Sequence, residues 1–250
     1  VTSQALRDPA AGIAPHTASP ESIVEAAVRL GAEVVTSTYN EPLITSEWAV
    51  AVFKIAHAEG LACSFVSNGN ATPRVLDYLQ PYVSMYKVDL KTFQDRQYRK
   101  LGGRLRPVLD TIQSLVSRGI WTEVVTLTIP GYNDSDEELT DIARFIASVS
   151  PDIPWHVTAF HKDYKMTAPS NTDAATLLRA WEIGKREGLR YVYAGNLPGS
   201  VGDTESTFCH ACDTRLIERR GFQVVENRVS EGGCPDCGTP LAGVWREGRT

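Results

Sequence analysis

Residues 32–42 read Ala-Glu-Val-Val-Thr-Ser-Thr-Tyr-Asn-Glu-Pro. The part from 33 to 38 is short and rich in β-branched residues, which predicts a buried strand. This strand ends in the polar residues Tyr39, Asn40 and Glu41, and Pro42 then ends any sheet pairing. The same order, an apolar strand with a polar end followed by an amphipathic helix, recurs at roughly 30-residue intervals. Functional side chains at the ends of parallel strands are typical of βα-barrel enzymes.

Strand and helix alternate six times along the chain, which predicts a parallel sheet with helices outside it. The predicted strands are 33–38, 63–66, 83–89, 121–129, 155–160 and 190–193. Side chains that can cap a helix precede the predicted helices, and they are Ser19, Ser46, Thr72, Asp134 or Ser135, and Asp173. A complete eightfold barrel needs about 250 residues, whereas these six units take about 195. We therefore expect an α/β fold with a partial (βα)6 TIM-like barrel, and a doubly wound open sheet is the alternative.

Composition limits the classes of protein and partner. The chain has 250 residues, of which 42% are hydrophobic, so it can bury a substantial core. It contains no run of about 18 apolar residues and its start lacks an apolar signal sequence, so we expect a cytoplasmic protein with no membrane partner. The net charge of −5 argues against a general nucleic-acid binder, because phosphate binding needs a basic face.

Four of the five cysteines form two Cys-x-x-Cys pairs near the carboxyl end. The pairs are Cys209 with Cys212 and Cys234 with Cys237, and 21 residues separate them. This spacing is typical of a four-cysteine zinc site with a closed, structural shell. An iron–sulfur cluster or four free thiols are the alternatives. We predict a zinc ribbon over 207–250, joined by a linker over 195–206 to a barrel domain over 1–194.

Polar side chains fall at the ends of the predicted strands. Each alone is more often a cap or a turn residue, but their recurrence at one edge of a sheet favours a binding site. Asp89 and Lys91 lie two residues apart in an extended segment, so their side chains share a face and could hold a zwitterion. His156 is predicted to be a core residue. The strand-end set comprises Glu41, Ser67, Asn68, Asp89, Lys91, Thr126, Thr128, His161 and Asn196.

At five segments the sequence resembles the radical S-adenosylmethionine (SAM) enzymes of the AmmeMemoRadiSam group, relatives of the pyruvate formate-lyase activating enzymes. The segments are Tyr39-Asn40-Glu41-Pro42, Ser67-Asn68-Gly69, Lys87-Val88-Asp89-Leu90-Lys91, 155–161 and Gly195-Asn196-Leu197-Pro198-Gly199. The Tyr-Asn-Glu-Pro form favours this subgroup over the wider superfamily. The resemblance extends over nearly the whole chain, including the carboxy-terminal ribbon.

The resemblance implies that SAM binds a four-iron four-sulfur cluster and is cleaved reductively to a 5′-deoxyadenosyl radical, which abstracts hydrogen. It implies that Tyr39, Asn40 and Glu41 line the methionine amino group. Ser67, Asn68, Asp89 and Lys91 would border the sulfonium, carboxylate and ribose, and Thr126, Thr128 and His161 would lie near adenine or substrate. It also implies a protein substrate activated as a glycyl radical, and an electron donor such as flavodoxin or ferredoxin.

The family's cluster motif, Cys-x-x-x-Cys-x-x-Cys, does not occur in this sequence. In the family it precedes the segment that corresponds to 1–8, on the loop after the first barrel strand. We therefore expect an amino-terminal truncation, a barrel that lacks its first strand, and a chain that does not generate the radical by itself. The alternatives are a cluster-free barrel that acts as a binding or docking module, and a barrel enzyme that uses Lys91 as a Schiff-base nucleophile.

Overall fold

A computed structural model describes residues 17–163 and 166–245. Six strands form one parallel sheet in the order of the chain, β1-β2-β3-β4-β5-β6, and helices connect them. The strands are β1 (Val34–Ser37), β2 (Ala62–Ser67), β3 (Met85–Asp89), β4 (Trp121–Thr128), β5 (Trp155–Ala159) and β6 (Val192–Gly195). The α/β alternation predicted from the sequence is confirmed, and the parallel sheet is consistent with a partial barrel. The prediction that the first strand is buried is wrong, because the side chains of β1, at one end of the strand order, alternate between exposed and half-exposed positions.

Seven α-helices occur in the described residues. They are α1 (Pro20–Arg29), α2 (Ser46–Ala58), α3 (Pro73–Leu79), α4 (Asp95–Lys100), α5 (Leu105–Ser117), α6 (Asp136–Val149) and α7 (Ala174–Arg186). The predicted caps Ser19, Thr72, Ser135 and Asp173 accept hydrogen bonds from the first turns of their helices. The prediction for Ser46 is wrong. A short 3-10 helix, Pro42–Thr45, runs directly into α2, so Ser46 is already helical and its hydroxyl donates to the Leu43 carbonyl.

The described residues divide into two compact units. Unit 1 comprises 17–89 and 106–122, and unit 2 comprises 90–105 and 123–245. Side chains of β2 and β4 alternate between buried and half-exposed positions, so one face of each strand packs into a core. In unit 1, Phe65 of β2 stacks on Tyr86 of β3 with ring centroids 5.5 Å apart. In unit 2, Trp155 of β5 is fully buried beside α7.

The carboxy-terminal part of unit 2 contains a three-stranded antiparallel sheet. Its strands are β7 (Thr207–Phe208), β8 (Arg215–Arg220) and β9 (Gln223–Asn227), in the order β7-β8-β9. The segment predicted as a linker contains a 3-10 helix, Gly202–Glu205, whose Glu205 is buried and accepts hydrogen bonds from the Gly199 and Gly221 amides. The domain boundaries predicted from the sequence stay a prediction.

Candidate functional site

In unit 1, the polar residues that follow β1 and β2 meet at one carboxylate. Glu41 Oε1 accepts hydrogen bonds from the Leu43 amide at 3.2 Å and the Ser67 hydroxyl at 2.7 Å. Its Oε2 accepts the Asn68 amide at 2.7 Å. A carboxylate offers roughly four acceptor positions, so one position, on Oε2, remains for a further donor. Glu41 therefore joins the two strand ends and keeps capacity for a cation.

The loop after β2 is compact around the same residues. The Ser67 hydroxyl, which is buried, also accepts the Gly69 amide at 3.0 Å, and Asn68 Oδ1 accepts the Asn70 amide at 2.9 Å. Gly69 has φ +74°, and a Cβ built there would lie 2.6 Å from Val88 Cγ1. Only glycine fits this position without displacement of a neighbour. The sequence motif Ser-Asn-Gly thus has a local structural reason.

The remaining predicted residues of unit 1 differ in exposure. Tyr39 is 70% exposed and Asn40 is exposed, so these two present side chains to solvent beside Glu41. Asp89 is half-exposed at the end of β3. A buried phenol, Tyr86, lies near Ser67 and Glu41, and burial raises its pKa well above the usual value. Among the predicted residues of unit 1, the structure brings Glu41, Ser67 and Asn68 into direct contact.

In unit 2, Lys91 begins a segment that is held by a buried carboxylate. The Lys91 amide donates to the Tyr98 hydroxyl at 3.0 Å, and the Lys91 carbonyl accepts from Asn133 Nδ2 at 2.7 Å. Glu138, at the start of α6, is 4% exposed. It accepts from Thr92 Oγ1 at 2.5 Å, the Phe93 amide at 2.5 Å and Gln94 Nε2 at 2.7 Å. Glu138 fixes the chain immediately after Lys91.

Glu138 is not among the site residues predicted from the sequence. Its partners lie more than 40 residues away, and the run Asp136-Glu137-Glu138 is explained equally well by the helix dipole. The helical period is the signal that could have found it, because Glu138 lies four and eight residues before the buried Ile142 and Ile146, on the core face of α6.

The two predicted threonines of β4 are both fully buried. The Thr126 hydroxyl donates to the Leu90 carbonyl and accepts from Trp155 Nε1, each at 3.0 Å, so it takes part in a structural network. The Thr128 hydroxyl has no hydrogen-bond partner among the described residues, and its carbonyl accepts from Thr172 Oγ1 at 2.6 Å. A ligand role near adenine or substrate stays a prediction for both residues.

His161 is exposed and follows β5. Its Nε2 lies 3.0 Å from the Asn196 carbonyl, while Asn196 Nδ2 donates to the Ala159 carbonyl at 3.0 Å. Because a carbonyl only accepts, Nε2 carries the proton and Nδ1 is the acceptor of the neutral ring. His161 and Asn196 therefore join the ends of β5 and β6.

The four carboxy-terminal cysteines lie together. Their Sγ atoms are all within 4.8 Å of one another, with 3.6 Å between Cys209 and Cys237 and 3.7 Å between Cys212 and Cys234. Tetrahedral coordination at a metal–sulfur distance of about 2.3 Å requires sulfur atoms about 3.8 Å apart. The group therefore could hold a metal ion. Among the described residues, no other group of three or more metal-binding side chains has this geometry.

The surroundings of the four thiols differ. Burial raises the pKa of Cys209 to about 11, whereas hydrogen bonds from Thr239 lower that of Cys237 to about 6. Backbone hydrogen bonds from Asp213 to the Cys209 carbonyl and from Gly238 to the Cys234 carbonyl close a tight turn at each pair.

The fifth cysteine, Cys63, is buried inside β2, and burial raises its pKa to about 11. Apart from the carboxy-terminal group, the sequence therefore offers no set of three cysteines for a cluster.

No helix in the described part of the chain is both long and apolar enough to cross a membrane.

The chain is 34% identical over 226 residues to a protein of Methanocaldococcus jannaschii named Uncharacterized protein MJ0808. The match spans 89% of this chain and 67% of that protein. The chain is 26% identical over 129 residues to the isethionate sulfite-lyase activating enzyme of Oleidesulfovibrio alaskensis, and the match spans 49% of this chain and 41% of that enzyme.

Among solved structures, a domain of a pyruvate-formate lyase-activating enzyme from Bacteroides vulgatus superposes with a TM-score of 0.58 at 18% identity. The superposition covers 65% of this chain and 98% of that domain, and it shows a shared fold. The sequence model of the Radical SAM superfamily matches residues 8–146, more than half of the chain. The chain belongs to the Radical SAM superfamily.

Proposed function

We propose that this chain supplies the SAM-binding part of a radical SAM enzyme related to the activating enzymes. Membership of the superfamily implies SAM and a four-iron four-sulfur cluster as cofactors. In the enzyme, SAM would be cleaved reductively and the resulting 5′-deoxyadenosyl radical would abstract hydrogen from a substrate. The similarity to an isethionate sulfite-lyase activating enzyme supports a protein substrate that receives a glycyl radical. Tyr39-Asn40-Glu41-Pro42 supports the AmmeMemoRadiSam group.

One observation carries the SAM-binding proposal, the geometry of Glu41. Its carboxylate is fixed by the Leu43 amide, the Ser67 hydroxyl and the Asn68 amide, and one acceptor position is left. An ammonium group needs such an acceptor, and a held carboxylate loses little conformational freedom on binding. We therefore assign the methionine ammonium of SAM to Glu41 Oε2, in unit 1.

The cluster does not fit the cysteines of this chain. Cys63 lies inside a strand, and the other four close on one another. We therefore assign no ligand of the cluster and no chemical step on it to these residues.

Calorimetric titration with SAM tests the assignment. We expect Glu41→Gln to weaken SAM binding by roughly 10- to 100-fold, because a charge-assisted hydrogen bond contributes about 1.5–3 kcal/mol. Glu47→Gln, at an exposed position of the first turn of α2, is the matched control and should bind SAM normally. Methylthioadenosine lacks the amino-acid end of SAM, so its affinity should not respond to Glu41→Gln.

Two results would overturn the proposal. If the wild-type chain bound no SAM, the docking-module alternative would be favoured. If Glu41→Gln weakened SAM and methylthioadenosine equally, Glu41 would have only a structural role.

We further propose that the four carboxy-terminal cysteines bind zinc. Four sulfur ligands at near-tetrahedral separations suit this ion, and a closed shell would be structural. Metal analysis of the purified protein should give about one zinc per chain. Iron in place of zinc, or no metal, would contradict this assignment.

A further inference from the structure

The side of β4, β5 and β6 that lies opposite α7 carries a group of polar side chains. Helix α7 packs on the other side, where Gly184 approaches Trp155 and Val192. Because side chains alternate along a strand, His156 and Tyr193 project to the opposite side, which we call the open face of unit 2. These two residues are direct neighbours in the register of β5 and β6.

His156 forms a pair with a carboxylate on this face. Its Nε2 lies 2.9 Å from Glu123 Oε2 of β4, and the two side chains are 29% and 34% exposed. Because a carboxylate only accepts, Nε2 carries the proton and Nδ1 is the acceptor in the neutral ring. No hydrogen bond to Nδ1 occurs within 17–163 and 166–245. The prediction that His156 is a core residue is therefore wrong.

A tyrosine and an arginine complete the group. The His156 ring stacks on Tyr193 at a centroid distance of 5.1 Å, which restricts its orientation. The Tyr193 hydroxyl contacts Thr207 Oγ1 at 2.9 Å, and burial raises the Tyr193 pKa. The Arg219 guanidinium lies 5.6 Å from the Tyr193 ring centroid and donates to Thr207 Oγ1 at 2.6 Å.

Arg219 is half-buried and makes no ion pair with a carboxylate among the described residues. A guanidinium has five donors, and the two hydroxyl partners of Arg219, Thr207 and Tyr193, leave the others available. A partly desolvated cation without a counter-ion is costly, and an anionic ligand would remove this cost. Glu123 and Tyr193 contact the His156 ring directly, and Arg219 lies against Tyr193, on which Glu123 also acts electrostatically.

We propose that the open face of unit 2 is a proton-transfer site for a small anionic substrate, with His156 as the base, Glu123 as its positioning residue and Arg219 as the anion-binding group. The substrate class is a carboxylate- or phosphate-bearing molecule with an ionisable N–H, O–H or S–H bond next to the anionic group. This inference goes beyond the proposed function and does not require SAM binding.

The step balances as a simple proton transfer. The X–H bond of the substrate breaks, its electron pair stays on X, and a new N–H bond forms at Nδ1 of His156. The imidazolium that results is stabilised by the Glu123 carboxylate on the opposite ring nitrogen, as in other carboxylate–histidine pairs. No oxidant, reductant or metal is needed, and the reverse step returns the proton.

The tautomer of the His156 ring gives the first test. In protein labelled with ¹⁵N-histidine, long-range ¹H–¹⁵N spectra should show neutral His156 with its proton on Nε2. Loss of the signal in His156→Gln provides the assignment. In Glu123→Ala the preference for this tautomer should be lost, while His57, His161 and His210 should be unchanged. A proton on Nδ1 in the wild type, or the same tautomer in Glu123→Ala, would overturn the positioning role.

Titration with inorganic phosphate and with acetate gives the second test. We expect saturable shifts of the His156 signals, and at least a tenfold weaker response in Arg219→Gln. Arg220→Gln is the matched control, because Arg220 is the exposed neighbour on the same strand. Equal saturation in the two arginine variants, or no saturation in the wild type, would refute the anion site.

Chemical modification by diethylpyrocarbonate gives the third test, because a histidine with a purely structural role would not react and would not be protected by phosphate. An imidazole with an accessible Nδ1 acceptor should react with diethylpyrocarbonate, and bound phosphate should slow its modification at His156. If peptide mapping finds no modification of His156 in the folded protein, the proposal fails.

Discussion

The buried carboxylate of Glu138 should account for a large share of the stability of the loop that follows Lys91. In Glu138→Ala, three donors lose their acceptor, namely Thr92 Oγ1, the Phe93 amide and Gln94 Nε2. Hydrogen bonds to a charged group contribute about 1.5–3 kcal/mol each. Water can reach the half-buried Phe93 and Gln94 and partly replaces the lost acceptor, so the total cost is less than the sum of the three hydrogen bonds. We expect the free energy of unfolding to fall by about 4 kcal/mol.

Glu138→Gln should lower the free energy of unfolding by less than Glu138→Ala does. The amide oxygen can keep the two bonds made by Oε1, but these bonds become neutral, and the new NH₂ group faces the Gln94 amide. A loss of about 1–2 kcal/mol follows from the weaker bonds. Glu137→Gln, in the same helical turn and exposed, should change stability by no more than about 0.5 kcal/mol.

Urea denaturation of the four proteins measures the ranking, and hydrogen exchange of the Phe93 amide measures the local effect. We expect this amide to exchange much faster in Glu138→Ala than in Glu137→Gln. If Glu138→Ala were within 1 kcal/mol of the wild type, or if the Phe93 amide kept its protection, the assigned network would be refuted.

Three further predictions concern a glycine, a helix cap and the metal group. In urea denaturation, Gly69→Ala should lower the free energy of unfolding by about 2–3 kcal/mol, because the new Cβ clashes with Val88. Gly60 has a similar positive φ but no atom within 4 Å of a new Cβ, so Gly60→Ala should lower it by about 1 kcal/mol. Equal losses in the two variants would contradict the clash. The hydrogen bond from the Thr176 amide lowers the pKa of Asp173 in the folded protein. The ionised Asp173 therefore stabilises the fold at any pH above the unfolded pKa of about 3.9, and this stabilisation is lost as the pH falls through the lower folded pKa. Asp173→Asn keeps a cap and should show a smaller loss of stability between about pH 5 and about pH 2.5; an unchanged pH profile would contradict this linkage. Cys234→Ser should abolish bound metal while Cys63→Ala retains it, as measured by metal analysis; retention in Cys234→Ser would show that the four thiols do not act together.

The sequence predicted the parts of the structure that depend on neighbouring residues. The caps at Ser19, Thr72, Ser135 and Asp173 were found because each side chain bonds an amide three residues ahead. The prediction at Ser46 was wrong because Pro42 starts a 3-10 helix one turn earlier, and this displaces the cap.

Site residues were predicted less completely, because their roles depend on partners far away in the chain. The position of Glu41 after the first strand was visible in the sequence, but its bonds to Ser67 and Asn68 were not. Thr126 has the same position at a strand end as its neighbours, yet its hydroxyl is used between Leu90 and Trp155. The alternation of β-strand side chains places residues on a face but does not tell which of them meet.

The sequence by itself determined the order of strands and helices, several of the helix starts and the four-cysteine pattern. These features follow from backbone sterics, side-chain period and metal-ligand spacing, which act over a few residues. Only the tertiary structure decided that Glu138 is buried beneath the loop after Lys91 and that His156 meets Glu123 on an open face. For the Glu123–His156 pair the physical reason is strand register, because a shift of one residue between adjacent strands would turn each side chain to the other face. For Glu138 the reason is the placement of α6 against the loop after Lys91, which joins residues more than 40 positions apart.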